Sequence, residues 1–253
     1  MLKRLIATCL QGLVVISVAS LTPTFAAADD DVAKKLVETA DRVRFPAEGF
    51  QVDINITSRA PDQPGEARKY RVLSKGNDNT IVMTVEPAAD RGQMLLMKAR
   101  DLWLFMPAVS QPIRLSVAQR MTGEVSYGDL ARANFSGDYT PKLLRTDKID
   151  GEDYQVVELT AVDRGVAYSR VLYWIRSSTG YPHRAEFYSL SNRLLKTCRY
   201  ENFKQLAGHV RPTRLVMEDA LKQGEVSVLE YEAMKLRDLP DYVFTKEYLK
   251  KLE

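Results

Sequence analysis

The chain is poor in the side chains that carry out covalent or redox chemistry. Its 253 residues hold two histidines, His183 and His209, and two cysteines, Cys9 and Cys198. Each histidine sits beside a turn signal and has no His, Cys or Asp partner at metal-ligand spacing. No Gly-rich phosphate loop, G-x-S-x-G elbow or H-E-x-x-H pair occurs. Carboxylates such as Glu86, Asp90, Asp101, Glu158, Glu186 and Glu218 are scattered, and a chain with this many acids brings some together by chance. The composition therefore points to a non-enzyme with no catalytic residue, no metal and no cofactor.

Charge of one sign is also lacking. The chain has 36 Lys and Arg against 33 Asp and Glu, for a formal charge of +3. A near-even balance leaves no electrostatic footprint for nucleic acid. Residues 1–28 have a basic start at Lys3 and Arg4, an apolar run from Leu5 to Leu21 and a small-residue end, Ala26-Ala27-Ala28. That pattern predicts a secretory leader cleaved before Asp29. Cleavage removes those two cations and no acid, so +3 falls to +1. It also leaves Cys198 as the sole cysteine, so no internal disulfide can form even in an oxidising compartment.

What the chain has in quantity is apolar surface in strand-like runs. In Met94–Ala99 and Leu102–Met106 apolar residues occupy odd and even positions alike, whereas a strand with one face in water alternates. Both faces of this ribbon need cover, from packed core or from an apolar ligand in a cavity. Met94, Leu96, Met97, Trp103 and Phe105, with Leu130 just beyond, are the candidate cavity wall. The register that decides which of them face inward is open.

Asp31 to Phe45 is predicted as a helix with Val32, Leu36, Val37, Ala40 and Val43 on one stripe, stopped by Pro46. From Gly49 to Arg237 the pattern is extended. Turn signals such as Pro64-Gly65, Gly76-Asn77, Asp150-Gly151, Thr179-Gly180 and Gln223-Gly224 divide it into about a dozen strands. Short connections predict an antiparallel meander. Ser126 is placed to cap a short helix within Ser126–Phe135, and Thr245 to cap Lys246–Leu252. With no repeat, linker or second composition zone, residues 29–253 are expected to form one domain. Barrel, sandwich and open half-barrel all fit such a list.

Three stretches carry a family resemblance, the first being the leader followed by a helix. DLWLFMPAVSQPIRLSVAQRMTGEVSYGDL (101–130) and DLPDYVFTKEYLKKL (238–252) resemble a subgroup of the LolA-like outer membrane lipoprotein-sorting proteins. That subgroup reads D-x-W-x-[YF]-x-P … R-[IL]-S … S-Y-x-D-L and closes on L-P-x-x-x-F-T-x-x-Y-L. The likeness extends over nearly the whole chain after the leader, and it is a pattern of packing and turns, not a catalytic signature. It implies a mainly β fold: a strongly curved antiparallel sheet of about eleven to thirteen strands, an incomplete half-open barrel, with a few helices over its concave side. Relatives shuttle lipoprotein acyl chains or, in the RseB group, sense lipids or misfolded envelope proteins. No lipobox is present, unlike the anchored acceptor LolB.

The expectation is therefore a monomeric periplasmic carrier of lipid or lipoprotein acyl chains. Its partner would be an inner-membrane transporter, RND-type or a lipoprotein-release ABC system. The competing expectation is an envelope sensor or an accessory subunit of an RND-type exporter that works by protein–protein binding. An enzyme acting on lipid or glycan through its carboxylates is a third.

Overall fold

The structure, a computed structural model, describes residues 25–249 and 251. Nearly all of the leader expected over 1–28 lies outside them. Helix α1 (Phe25–Arg44) is followed by strands β1 (Phe50–Arg59), β2 (Glu66–Lys75), β3 (Asn79–Glu86), β4 (Met94–Lys98), β5 (Asp101–Met106) and β6 (Val109–Leu115). A small hairpin, β7 (Arg120–Thr122) and β8 (Val125–Ser126), leads into the short helix α2 (Tyr127–Ala131). Then come β9 (Tyr139–Ile149), β10 (Glu152–Ala161), β11 (Arg170–Arg176), β12 (Pro182–Tyr188), β13 (Leu194–Leu206), β14 (His209–Asp219) and β15 (Val226–Leu236), and last α3 (Lys246–Leu249).

Thirteen strands make one antiparallel sheet in the order β6-β5-β4-β3-β2-β1-β15-β14-β13-β12-β11-β10-β9. Every neighbour is consecutive in sequence except β1 and β15. Two meanders therefore grow outward from a central seam, where Phe50 faces Leu236 and Arg59 faces Val226. The sheet is curved and does not close into a barrel, which selects the half-barrel from the three architectures the strand list allows. Its rims are β6 and β9, and the chain crosses from one to the other through β7, β8 and α2. The outer rim strand β6 carries Pro112, a residue that cannot donate to a further strand.

Register settles which way the apolar ribbon points. Leu73, Ile81, Leu96 and Trp103 form one row of cross-strand neighbours, and Val72, Val82, Leu95 and Leu104 form the adjacent row on the opposite face. The second row belongs to the main core beneath α1 and α2, which we call the inner face. The first row lies on the outer face, in a separate cluster with Leu239, Val243, Phe244 and Leu249 from the C-terminal segment. Thr245 caps that segment's α3 as expected, its Oγ1 accepting from the Tyr248 amide at 3.3 Å. Both faces of the ribbon are thus covered by protein.

Helix α1 begins earlier than expected and is rotated. It buries Ala33, Val37, Ala40, Asp41 and Arg44, while Val32, assigned to the apolar stripe, is 46% exposed. The stripe holds two charged residues, and partners inside the fold outweigh their preference for water.

Candidate functional site: the helix-covered inner face

Helix α1 packs on β9, β12 and β14, strands up to five places apart in the sheet, so the sheet curls around it. α2 covers the other half of the inner face, against β3 and β4. It is only five residues long, too short to persist without tertiary support. Ser126 supplies the first support through a capping box: its Oγ accepts from the Asp129 amide at 3.3 Å, and Asp129 accepts from the Ser126 amide at 2.7 Å. Gly128 supplies the second. A Cβ there would sit 3.0 Å from the Val117 carbonyl and 3.1 Å from Ala167, so only glycine lets α2 seat this closely.

The third support is ionic. Lys196 on β13 reaches across to α2, donating to the Asp129 carboxylate and, at 2.7 Å, to the Glu124 carbonyl. Its side chain is 5% exposed and that of Asp129 7%. The Tyr168 hydroxyl donates to the same carboxylate at 3.0 Å. Burial and that neighbouring charge push the Tyr168 hydroxyl pKa well up, so it stays a donor. An isolated buried charge would cost far more than it returns, but here the ions are paired and hydrogen-bonded.

The loop after α2 is fastened in the same way. Arg132 donates to Asp138, to Asp78 at 2.7 Å and to the carbonyls of Asn77 at 2.8 Å and Ala99 at 2.6 Å. Asp41 of α1 accepts from the amides of Phe135 at 3.0 Å and Ser136 at 2.7 Å and from the Ser136 hydroxyl at 2.6 Å. Burial raises the Asp41 pKa, partly offset by Arg44 and these donors. Arg211, 2% exposed, closes the C-terminal end of α1 by donating to the Arg42 carbonyl at 2.7 Å.

Beneath this cover the space is small. One cavity of about 30 Å³ lies among Arg44, Phe135, Tyr168, Phe187, Tyr200 and Met217. Another of about 20 Å³ lies under Leu130, against Phe50, Val52, Ile54, Val72 and Tyr231. Each is water-sized.

Of the six residues expected to form a cavity wall, Met97 and Leu130 lie on the inner face, and Leu130 borders the smaller cavity. Met94, Leu96, Trp103 and Phe105 lie on the outer face beneath the C-terminal segment, where the Lys246 ammonium sits 5.2 Å from the Trp103 ring centre. Sequence reasoning missed Arg44, Asp129 and Lys196. Arg44 was detectable, since it falls at helical spacing from Val37, Ala40 and Asp41; Lys196 carried no signal.

The reactive groups are dispersed. Cys198 is buried, and burial pushes its thiol up to about 12. The His183 ring packs at a tilt on Tyr154, centroids 4.6 Å apart, its pKa lowered by burial and by Arg184. Among the described residues one trio of acids, Glu124, Asp219 and Glu225, has metal-like spacing. A guanidinium already serves it: Arg120 lies 3.0 Å from Glu124, 3.3 Å from Asp219 and 3.7 Å from Glu225.

A curved open sheet wrapped around its own helices, with polar latches over an apolar face, defines the half-barrel class. A family described as an uncharacterized protein matches residues 76–251. The chain is 61% identical to a LolA superfamily protein from Nitrosomonas europaea of known crystal structure, over 85% of this chain and 98% of that one, with a TM-score of 0.83. It belongs to the LolA superfamily. The fold is also that of a DUF1329 family protein from Desulfovibrio piger (21% identity, TM-score 0.76, 87% and 99% of the two chains). A Vibrio parahaemolyticus domain assigned provisionally to the outer membrane lipoprotein-sorting proteins is similar as well (20%, 0.75, 87% and 99%). No curated protein matches.

Proposed function

We propose that this protein is a non-catalytic periplasmic carrier that holds the acyl chains of lipids or lipoproteins on its inner face. The observation that carries this reading is a mismatch between surface and space. The inner face is a broad apolar surface under a cover that includes a five-residue helix, yet its cavities, about 30 and 20 Å³, hold no more than a water each. A ligand enters by displacing α2 and the loop behind it. Each methylene then buried returns about 0.8 kcal/mol, enough over a long chain to offset breaking the latches. Membership of the LolA superfamily supports the same reading.

In this scheme residues 1–28 direct export and 29–253 act as one carrier domain. Met97 and Leu130 touch the ligand. Met94, Leu96, Trp103 and Phe105 stiffen the wall from outside. An inner-membrane transporter, RND-type or lipoprotein-releasing, supplies the load. The test combines native mass spectrometry of protein isolated from the periplasm with fluorescent fatty-acid binding to the purified protein. Co-purified lipid and saturable uptake are expected. Empty protein, no uptake and a stoichiometric protein partner would replace the carrier by an envelope sensor or exporter subunit.

A further inference from the structure

The cavity beside Arg44 has a polar end that the fold leaves unspent. Arg44 is 7% exposed, and its Nη1 has no hydrogen-bond partner among the described residues. The nearest carboxylate oxygen, on Asp41, is 3.6 Å away, and that carboxylate is already engaged by the Phe135 and Ser136 amides and the Ser136 hydroxyl. Three rings enclose the guanidinium, with its carbon 5.0 Å from the centre of Phe135 and 5.4 Å from those of Phe45 and Tyr200. Tyr173 is fully buried, and its hydroxyl, near enough to feel the Arg44 guanidinium, makes no hydrogen bond of ordinary length. Its ring packs on Phe135 at 5.1 Å and on Tyr200 at 5.9 Å, so it shares the box around Arg44.

Two buried donors left unpaired side by side are costly. Their cost is explained if a ligand oxygen completes them. The guanidinium states which kind. Among the described residues Asp41 is its one carboxylate neighbour within 4 Å, and Asp41 is shared with the Phe135 and Ser136 amides and the Ser136 hydroxyl. The fold therefore balances the Arg44 charge only in part, which favours an anionic oxygen.

We propose that Arg44 and Tyr173 bind the carboxylate of a long-chain fatty acid whose hydrocarbon tail lies along the inner face. The site rests on the carrier reading and specifies its ligand: a free acyl anion, in preference to a neutral alcohol or ester. A guanidinium offers the planar fork that a carboxylate fits, and the aromatic box keeps water from competing. The tail occupies the space vacated when α2 and the Phe135 loop move.

The test compares oleate, oleyl alcohol and methyl oleate by calorimetry on the purified protein, on Arg44→Met and on Tyr173→Phe. Wild type is expected to prefer oleate over the alcohol and the ester by about tenfold or more. Arg44→Met is expected to abolish that ratio. Tyr173→Phe, which deletes a hydroxyl that makes no hydrogen bond of ordinary length within the protein, is expected to leave the melting temperature near that of the wild type while cutting the ratio several-fold. It keeps the test decisive should Arg44→Met fail to fold. Equal binding of all three ligands by wild type, oleate and methyl oleate binding alike, or a ratio untouched by Tyr173→Phe would each overturn the carboxylate site and leave the carrier standing. Binding of none of the three would instead remove the carrier reading.

Discussion

A buried lysine is tolerated only while its partner stays. Lys196 and Asp129 are each nearly excluded from solvent, and their contact joins β13 to α2. Lys196→Met strands Asp129 in the interior, a change expected to cost about 3–5 kcal/mol in urea denaturation. Replacing both, as Lys196→Met with Asp129→Asn, is expected to recover much of that loss, because no charge is then left unpaired. A double variant as unstable as the single would show that the ion pair is not the latch. Glu124 makes a second residue-level prediction. Burial, and then the neighbouring Asp219, push its pKa up to about 7 from 4.5, with Arg120 opposing. Between those values the folded protein keeps a proton that the unfolded chain releases, so stability falls as pH rises through that window. Melting temperature should decline from about pH 5 to about pH 8, and Glu124→Gln should flatten the slope. An unchanged slope in the variant would assign the pH dependence elsewhere.

At the scale of elements, the clearest division is between the two covers of the sheet. The C-terminal segment is sealed by apolar contact, with Phe244 fully buried among Leu73, Ile81, Met94 and Leu96. Phe244→Ala is expected to cost about 3–5 kcal/mol and to shift Trp103 emission to the red, while fatty-acid affinity at the inner face is retained. Loss of that affinity at unchanged stability would place the ligand on the outer face instead. α2 is held by polar latches and a cap, which release at less cost in exposed apolar surface. The elements were largely legible in sequence. Turn signals placed the strands, and Ser126 announced α2 because a cap is a local device. The direction of the ribbon was not legible: a period of two says that alternate residues share a face, but the sign depends on where α2 and Leu239–Leu249 dock, many residues away in sequence. The charged face of α1 was hidden for a related reason. Asp41 and Arg44 read as solvent-facing until Ser136, Phe135 and Tyr200 surround them.

At the scale of the whole molecule, the sheet is a half-barrel whose rims never pair, so something else must hold the two meanders in fixed relation. The central β1–β15 seam does so at one side. At the other, the work falls to a polar clasp. Arg132 links the 132–138 loop to Asp78 and the Ala99 carbonyl in the first meander, and Arg100 of that meander reaches Asp138 at 3.1 Å and also Asp163 of the second. Asp78 and Asp163 are largely exposed, at 65% and 49%, whereas Asp138 is 4% exposed. The clasp thus has a screened rim and a protected centre. Raising salt from 0.15 to 1 M shortens the screening length from about 8 to about 3 Å. That weakens the rim contacts and leaves Arg132–Asp138 largely intact, so salt alone should alter ligand exchange only modestly. Arg132→Met removes the centre. Deuterium exchange is then expected to rise together in 77–80, 99–101 and 132–139, with faster release of bound fatty acid and little change along β1 and β15. If exchange rose only within 132–139, the loop would be moving by itself. The two meanders would then be held by the seam and by the Lys196–Asp129 contact between β13 and α2, and opening of the carrier would be a local event at α2, without any spreading of the sheet.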